Sequence, residues 1–148
     1  MNVVAHKAEK ISTQKGLKEE LEFWVTKLLQ HDDESVIEAA MYLGAMGEKA
    51  ERTLDSLFLM AKENNPEVRE AVIAAIGRIN ARPFASIPVL LSALEDKNVN
   101  VRQKAAAGLG LFDSYELSLH KPHALFDRLL KDEDYVVRFF VYDAMGRL

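Results

Sequence analysis

The chain has 148 residues, of which 49% are hydrophobic and 28% charged, with a net charge of −4. This is the composition of one globular domain with a substantial core, and it argues against a largely disordered chain. No cysteine is present, which excludes disulfides, thiolate metal sites and a cysteine nucleophile, and no apolar run is long enough to span a bilayer.

In chain order, residues 1–15 alternate polar and small residues without a sustained period and are expected to form a tail or a short cap. They lack the apolar core and cleavage site of a secretory signal, so a cytoplasmic protein is expected, with no membrane partner. From Gly16 the period becomes helical, with Leu17, Leu21, Trp24, Val25 and Leu28 on one stripe to about Gln30. The acidic run Asp32, Asp33, Glu34 suits the N-terminus of the next helix, predicted over Ser35 to Met46 and stopped at Gly47. A third helix is predicted over Lys49 to Lys62, with Leu54, Leu57, Phe58 and Ala61 inward. Asn65-Pro66-Glu67 supplies a cap, a proline at the first helical position and a first-turn acid for the helix through Val68, Val72, Ile76 and Ile79. Arg82-Pro83 interrupts that pattern, and Pro88 implies a start at Ser86 or a bend there.

Residues 85–112 then hold one full unit. Ile87, Leu90, Leu91 and Leu94 mark its first helix, and Val101, Ala105, Leu109 and Phe112 its second, with a tight turn between. Val101-Arg102 with Gly110 nine residues after the valine recurs as Val68-Arg69 with Gly77, as Val137-Arg138 with Gly146, and in degenerate form as Ser35-Val36 with Gly44. The first helices keep the same register: Trp24, Leu57, Leu90 and Phe126 share one column, and Leu28, Ala61, Leu94 and Leu130 another. A period near 33 residues signals stacked helical hairpins. The expected fold is therefore all-α, an α-solenoid of four antiparallel helix pairs over residues 16–148, divided at about 16–47, 48–80, 81–113 and 114–148. The link from Phe112 to Pro122 is three residues longer than its counterparts, and Tyr115, Leu117 and Leu119 suit an extra helical turn there.

The stretch PVLLSALEDKNVNVRQKAAAGLG resembles HEAT repeats, in particular the short HEAT-like class first associated with phycobilisome lyases. The resemblance covers all four units, although the first lacks the arginine. It implies a protein-binding scaffold more often than an enzyme, since the repeated residues are those that build the stack. It also implies that Arg69, Arg102 and Arg138, each four residues after Asn65, Asn98 and Asp134, form a polar ladder along the turns between repeats. The alternative is a row of ligand-binding arginines. Gly44, Gly77, Gly110 and Gly146 read as close helix contacts, being in no phosphate-loop setting.

Residues 31–64 carry eight acids against three bases, and no Lys/Arg cluster suited to a duplex appears, so no nucleic-acid partner is expected. His120 and His123 flank Pro122 without a further ligand type in register, and there is no repeated His-Glu dipeptide of the kind some HEAT-like enzymes use for iron. No metal, no cofactor and no catalytic set is expected. The enzyme reading that stays open is a bilin-lyase-like factor that attaches or removes a chromophore, whose reacting cysteine belongs to its substrate; a nucleic-acid-binding repeat is the third reading.

The leading expectation is a non-enzymatic scaffold that binds another protein. At 100° per residue, the columns opposite the core on the second helices hold Ile37, Met41 and Gly44, then Glu70, Ala74 and Gly77, then Gln103, Ala107 and Gly110, then Phe139, Asp143 and Gly146. In the resembling family second helices line the inner surface, so these columns outline a groove with a small-residue floor. In the last unit Phe139, Phe140 and Tyr142 replace Gln103, Lys104 and Ala106, which points to a docking end anchored by Phe139 and Tyr142, for a second copy of the chain or a partner. The plainer alternative is that Phe140 and Val141 pack inward while Phe139 and Tyr142 stand singly exposed.

Overall fold

A computed structural model describes residues 14–148, so most of the expected tail lies outside the described residues. The described residues form helices α1 (Gln14–Leu28), α2 (Asp33–Met46), α3 (Leu54–Met60), α4 (Pro66–Ile79), α5 (Pro83–Ala93), α6 (Val99–Leu109), α7 (Ser114–Ser118), α8 (His123–Leu129) and α9 (Tyr135–Arg147), with a 3-10 segment over Gly47–Thr53. They pair as α1/α2, α3/α4, α5/α6 and α8/α9, and the second helices pack in succession, α2 on α4, α4 on α6 and α6 on α9. The result is the expected α-solenoid.

Each second helix starts for the same local reason. Asp32, Asn65, Asn98 and Asp134 hold extended backbone, and their side chains accept a hydrogen bond from an N–H of the first turn that has no carbonyl partner within the helix. Helix ends are equally explicit: Gly47 closes α2 at φ 61°, and Asn80 closes α4 in the left-handed region at φ 50°. Arg82, also left-handed, then redirects the chain so that Pro83 stands at the first position of α5, three residues before the expected Ser86. Pro88 is tolerated inside α5 on its solvent side, and Ser86 Oγ donates to Ala81 O at 2.7 Å.

Between the two layers the described residues form a continuous core. Its first-helix column, Trp24, Leu57, Leu90 and Phe126, is at most 2% exposed. The second column holds for Leu28 and Leu94 and fails for Leu130, which is 37% exposed, while Leu129 is buried in its stead. α8 closes at Leu129, and its C-cap Leu130 is exposed where the corresponding C-cap of α5, Leu94, is buried. The α-helix expected from Lys49 is another correction: residues 47–53 wind more tightly, and Thr53 Oγ1 donates to Ala50 O at 2.7 Å across three residues.

Second helices approach closely at two positions where a side chain is missing. A Cβ on Gly77 would stand 2.6 Å from Gly108 Cα, and one on Gly44 would stand 3.1 Å from Ala75 Cα. Gly110 and Gly146 make no such approach, and for Gly146 nothing lies within 4 Å of the added atom. The repeated glycine of one unit thus meets the small residue seven after the valine of the next, a role Gly108 fills and the repeat pattern alone did not assign. Between α6 and α9 the extra turn α7, capped by Asp113 and Glu116 and anchored by buried Leu117, belongs to the longer link, and the close glycine approach is lost.

Candidate partner-binding surfaces

The inter-repeat turns carry a built polar array. Arg69 of α4 donates to the Asp96 carboxylate through Nε at 2.8 Å and Nη2 at 3.0 Å, and through Nη1 to Glu63 O at 3.0 Å and Asn64 O at 2.8 Å. Arg102 of α6 does the same one unit on. Its Nη1 donates to Asp96 O at 3.0 Å and Lys97 O at 3.3 Å, and its Nη2 to Asp132 Oδ1 at 3.2 Å and Glu133 Oε1 at 3.3 Å. Its Nε lies 3.0 Å from Asp132 Oδ2 but aims its hydrogen elsewhere. Arg138 of α9 donates to Asp132 O at 2.5 Å. Each arginine therefore ties its own turn, and Arg69 and Arg102 also reach forward to a carboxylate of the next.

Those carboxylates, Asp96 and Asp132, were not singled out from the sequence. Their signal was positional, since each stands two residues ahead of an N-cap and accepts that residue's N–H at 2.8 Å. Burial on its own would raise the Asp96 carboxyl, but Arg69 and the Asn98 N–H outweigh it and hold the group below the ordinary carboxylate value. The Asp96 bond correspondingly raises Arg69. The caps join the array as well: Asn65 Nδ2 donates to Asp33 Oδ2 at 2.8 Å, and Gln103 Nε2 to Asp134 Oδ2 at 2.8 Å. Burial would also raise Asp134, yet the Val137 N–H, Gln103 and the Val136 N–H hold it low. In the first unit buried Val36 stands at the arginine position, and Glu63 lies 3.9 Å from His31 instead.

Among the described residues, two recesses open along the successive second helices. One, of about 470 Å³, is lined by Ile37, Met41 and Gly44 from α2, Glu70, Ala74 and Arg78 from α4, and Lys104 from α6. Ile37, Met41 and Glu70 are thus brought together, with Met41 62% exposed. Gln103 is not part of it, because its amide is engaged by Asp134. The second recess, of about 380 Å³, lies between α6 and α9, with Ala106, Ala107 and Gly110 as floor and Phe139, Phe140 and Asp143 as wall. Asp143 Oδ2 lies 3.1 Å from Arg147 Nε.

At the C-terminal unit Phe140 and Val141 do pack inward, and the Phe140 ring meets Phe126 edge-on at 6.1 Å. Phe139 and Tyr142 are exposed, but not singly. With Tyr135 they fall at i, i+4 and i+7 on α9, an aromatic stripe more than 70% exposed at every member. His120 lies 6.0 Å from the Phe84 ring, and among the described residues no group of three or more His, Asp or Glu side chains is close enough to hold a metal. No helix among the described residues is long and apolar enough to cross a membrane.

A family model described as HEAT repeats matches residues 54–121 and 87–148, together more than half of the chain. A search of curated proteins finds no match. Among solved structures, that of an engineered protein superimposes with a TM-score of 0.71 at 18% identity over 86% of this chain. A designed armadillo repeat protein in complex with the peptide (KR)4 superimposes with a TM-score of 0.69 at 15% identity over 84% of it. This chain spans 62% of the length of each, and at these identities the likeness is one of fold.

Proposed function

The chain belongs to the HEAT-repeat family, and we propose that it works as a scaffold that binds another protein through the recess between α2 and α4. The observation that carries this reading is the pairing of exposed Met41 and half-buried Ile37 with a floor of Gly44 and Ala74, a surface that admits a chain segment close to the helix backbones. Both charge signs border it, Glu70 against Arg78 and Lys104, which suits a polypeptide carrying both and not a polyanion. The armadillo neighbour, itself in complex with a peptide, supports a polypeptide as the kind of partner.

The test is capture of the partner from cells with wild type and with Ile37→Asp/Met41→Asp, followed by titration of the purified partner by fluorescence anisotropy. Affinity should fall at least about tenfold in the double variant, as loss of an apolar anchor implies. The reading is wrong if the double variant, melting like wild type, binds the purified partner equally well.

A further inference from the structure

The charges bordering the recess between α2 and α4 follow an order along α4. Glu67 and Glu70 line it where the helix begins, facing Lys104 of α6, and Arg78 lines it in the last turn. Counted from the residues that cap the two helices, Met41 is level with Ala74, between Glu70 and Arg78. One end is thus net negative, the middle apolar and the other end positive. Among the described residues none of these four charged side chains forms an ion pair, whereas Arg69, Arg82, Arg102 and Arg128 each hold a carboxylate. A Cβ added to Gly44 would lie 3.5 Å from Arg78 Cδ, so the arginine stem rests on α2 as well as α4.

We propose that the partner lays an extended segment along α4, with a basic and an acidic residue four apart and an apolar residue midway between them. Glu70 and Arg78 are eight residues apart, about 12 Å along the helix axis. An extended chain covers that in about four residues, and its side chains i, i+2 and i+4 share one face. The base meets Glu67 and Glu70, the apolar side chain meets Ile37 and Met41 over Ala74, and the acid meets Arg78. A segment of one charge sign would bring like charges together at one end, and a wholly apolar one would cover the charges without pairing them. This rests on the recess being the binding surface and specifies what it takes. The helix dipole favours an acid at Glu67 and a base at Arg78 whatever else they do, and a change of peptide preference separates a ligand role from that one.

The test titrates the full chain with capped peptides built on Lys-Ser-Leu-Ser-Glu, on its scrambled form Leu-Ser-Lys-Glu-Ser, and on the same-sign forms Lys-Ser-Leu-Ser-Lys and Glu-Ser-Leu-Ser-Glu. Backbone amide shifts in NMR spectra follow binding into the millimolar range. The mixed-charge peptide should shift amides of α2 and α4 and bind about threefold tighter than the others. Arg78→Glu should transfer the preference to the two-lysine peptide, and Glu67→Lys/Glu70→Lys to the two-glutamate peptide. Absence of shifts in α2 and α4, equal affinity for all four peptides, or folded variants that keep the wild-type preference would each overturn the proposal. Any of these, with Ile37→Asp/Met41→Asp still weakening the natural partner, would leave the recess as the binding surface and reject only the charge pattern.

Discussion

Replacing Arg102 with alanine isolates the energetics of the turn array. The Arg102 side chain is 9% exposed and that of Asp132 8%, so the pair is desolvated and its carboxylate depends on the guanidinium. Removing one member leaves a buried charge whose remaining contact of note is the Asp134 N–H at 2.8 Å, and such a loss typically costs about 3–5 kcal/mol. The bond to Glu133 adds little, because that side chain is 85% exposed and solvent screens it. Two turn carbonyls, Asp96 O and Lys97 O, lose a donor as well. Against a domain margin of roughly 5–15 kcal/mol this is a large fraction. With a urea slope of about 2 kcal/mol per molar, the midpoint should fall by about 1.5–2.5 M. Equilibrium unfolding followed by far-UV circular dichroism measures it. The double change Arg102→Met/Asp132→Leu removes both charges and should recover much of the loss. A loss below about 1 kcal/mol in Arg102→Ala would refute the reasoning, since it would place the pair among exposed surface bridges.

Two further outcomes follow from other parts of the stack. Gly77→Ala should be strongly destabilising in thermal melts, because its Cβ meets Gly108 Cα at 2.6 Å and backbone must move, whereas Gly146→Ala should leave the melting temperature unchanged or raise it slightly. Equal effects at the two positions would show that the close approach is not rigid. The depressed Asp96 carboxyl contributes stability that is complete above the ordinary carboxylate value and is lost as pH falls through the lower native one. Asp96→Asn should therefore flatten the decline of the urea midpoint below about pH 4, and a variant with the wild-type slope would remove Asp96 from the acid transition.

Local sequence determined the parts of the molecule that depend on local physics. Asn65, Asn98 and Asp134 declare helix starts because a cap acts within three residues, and the columns through Trp24, Leu57, Leu90 and Phe126 declare the buried face because helical period is a local property. The repeat also pointed to the arginines. What it did not yield is which groups face one another across units, since that depends on the offset between helices from different hairpins. Asp96 and Asp132 became the arginines' forward partners, Gly108 became the partner of Gly77, and Gln103 left the inner groove for Asp134 only once that offset was fixed. The same holds for the aromatic end. Phe139 and Tyr142 were legible as unusual residues, and their spacing from Tyr135 is local, but that all three stand exposed, and that Arg138 has no carboxylate partner among the described residues, depends on how the hairpins stack. Stacking is a packing outcome: side-chain volumes at Gly77, Gly108 and Leu117 set how closely successive hairpins approach, and no single helix contains that information.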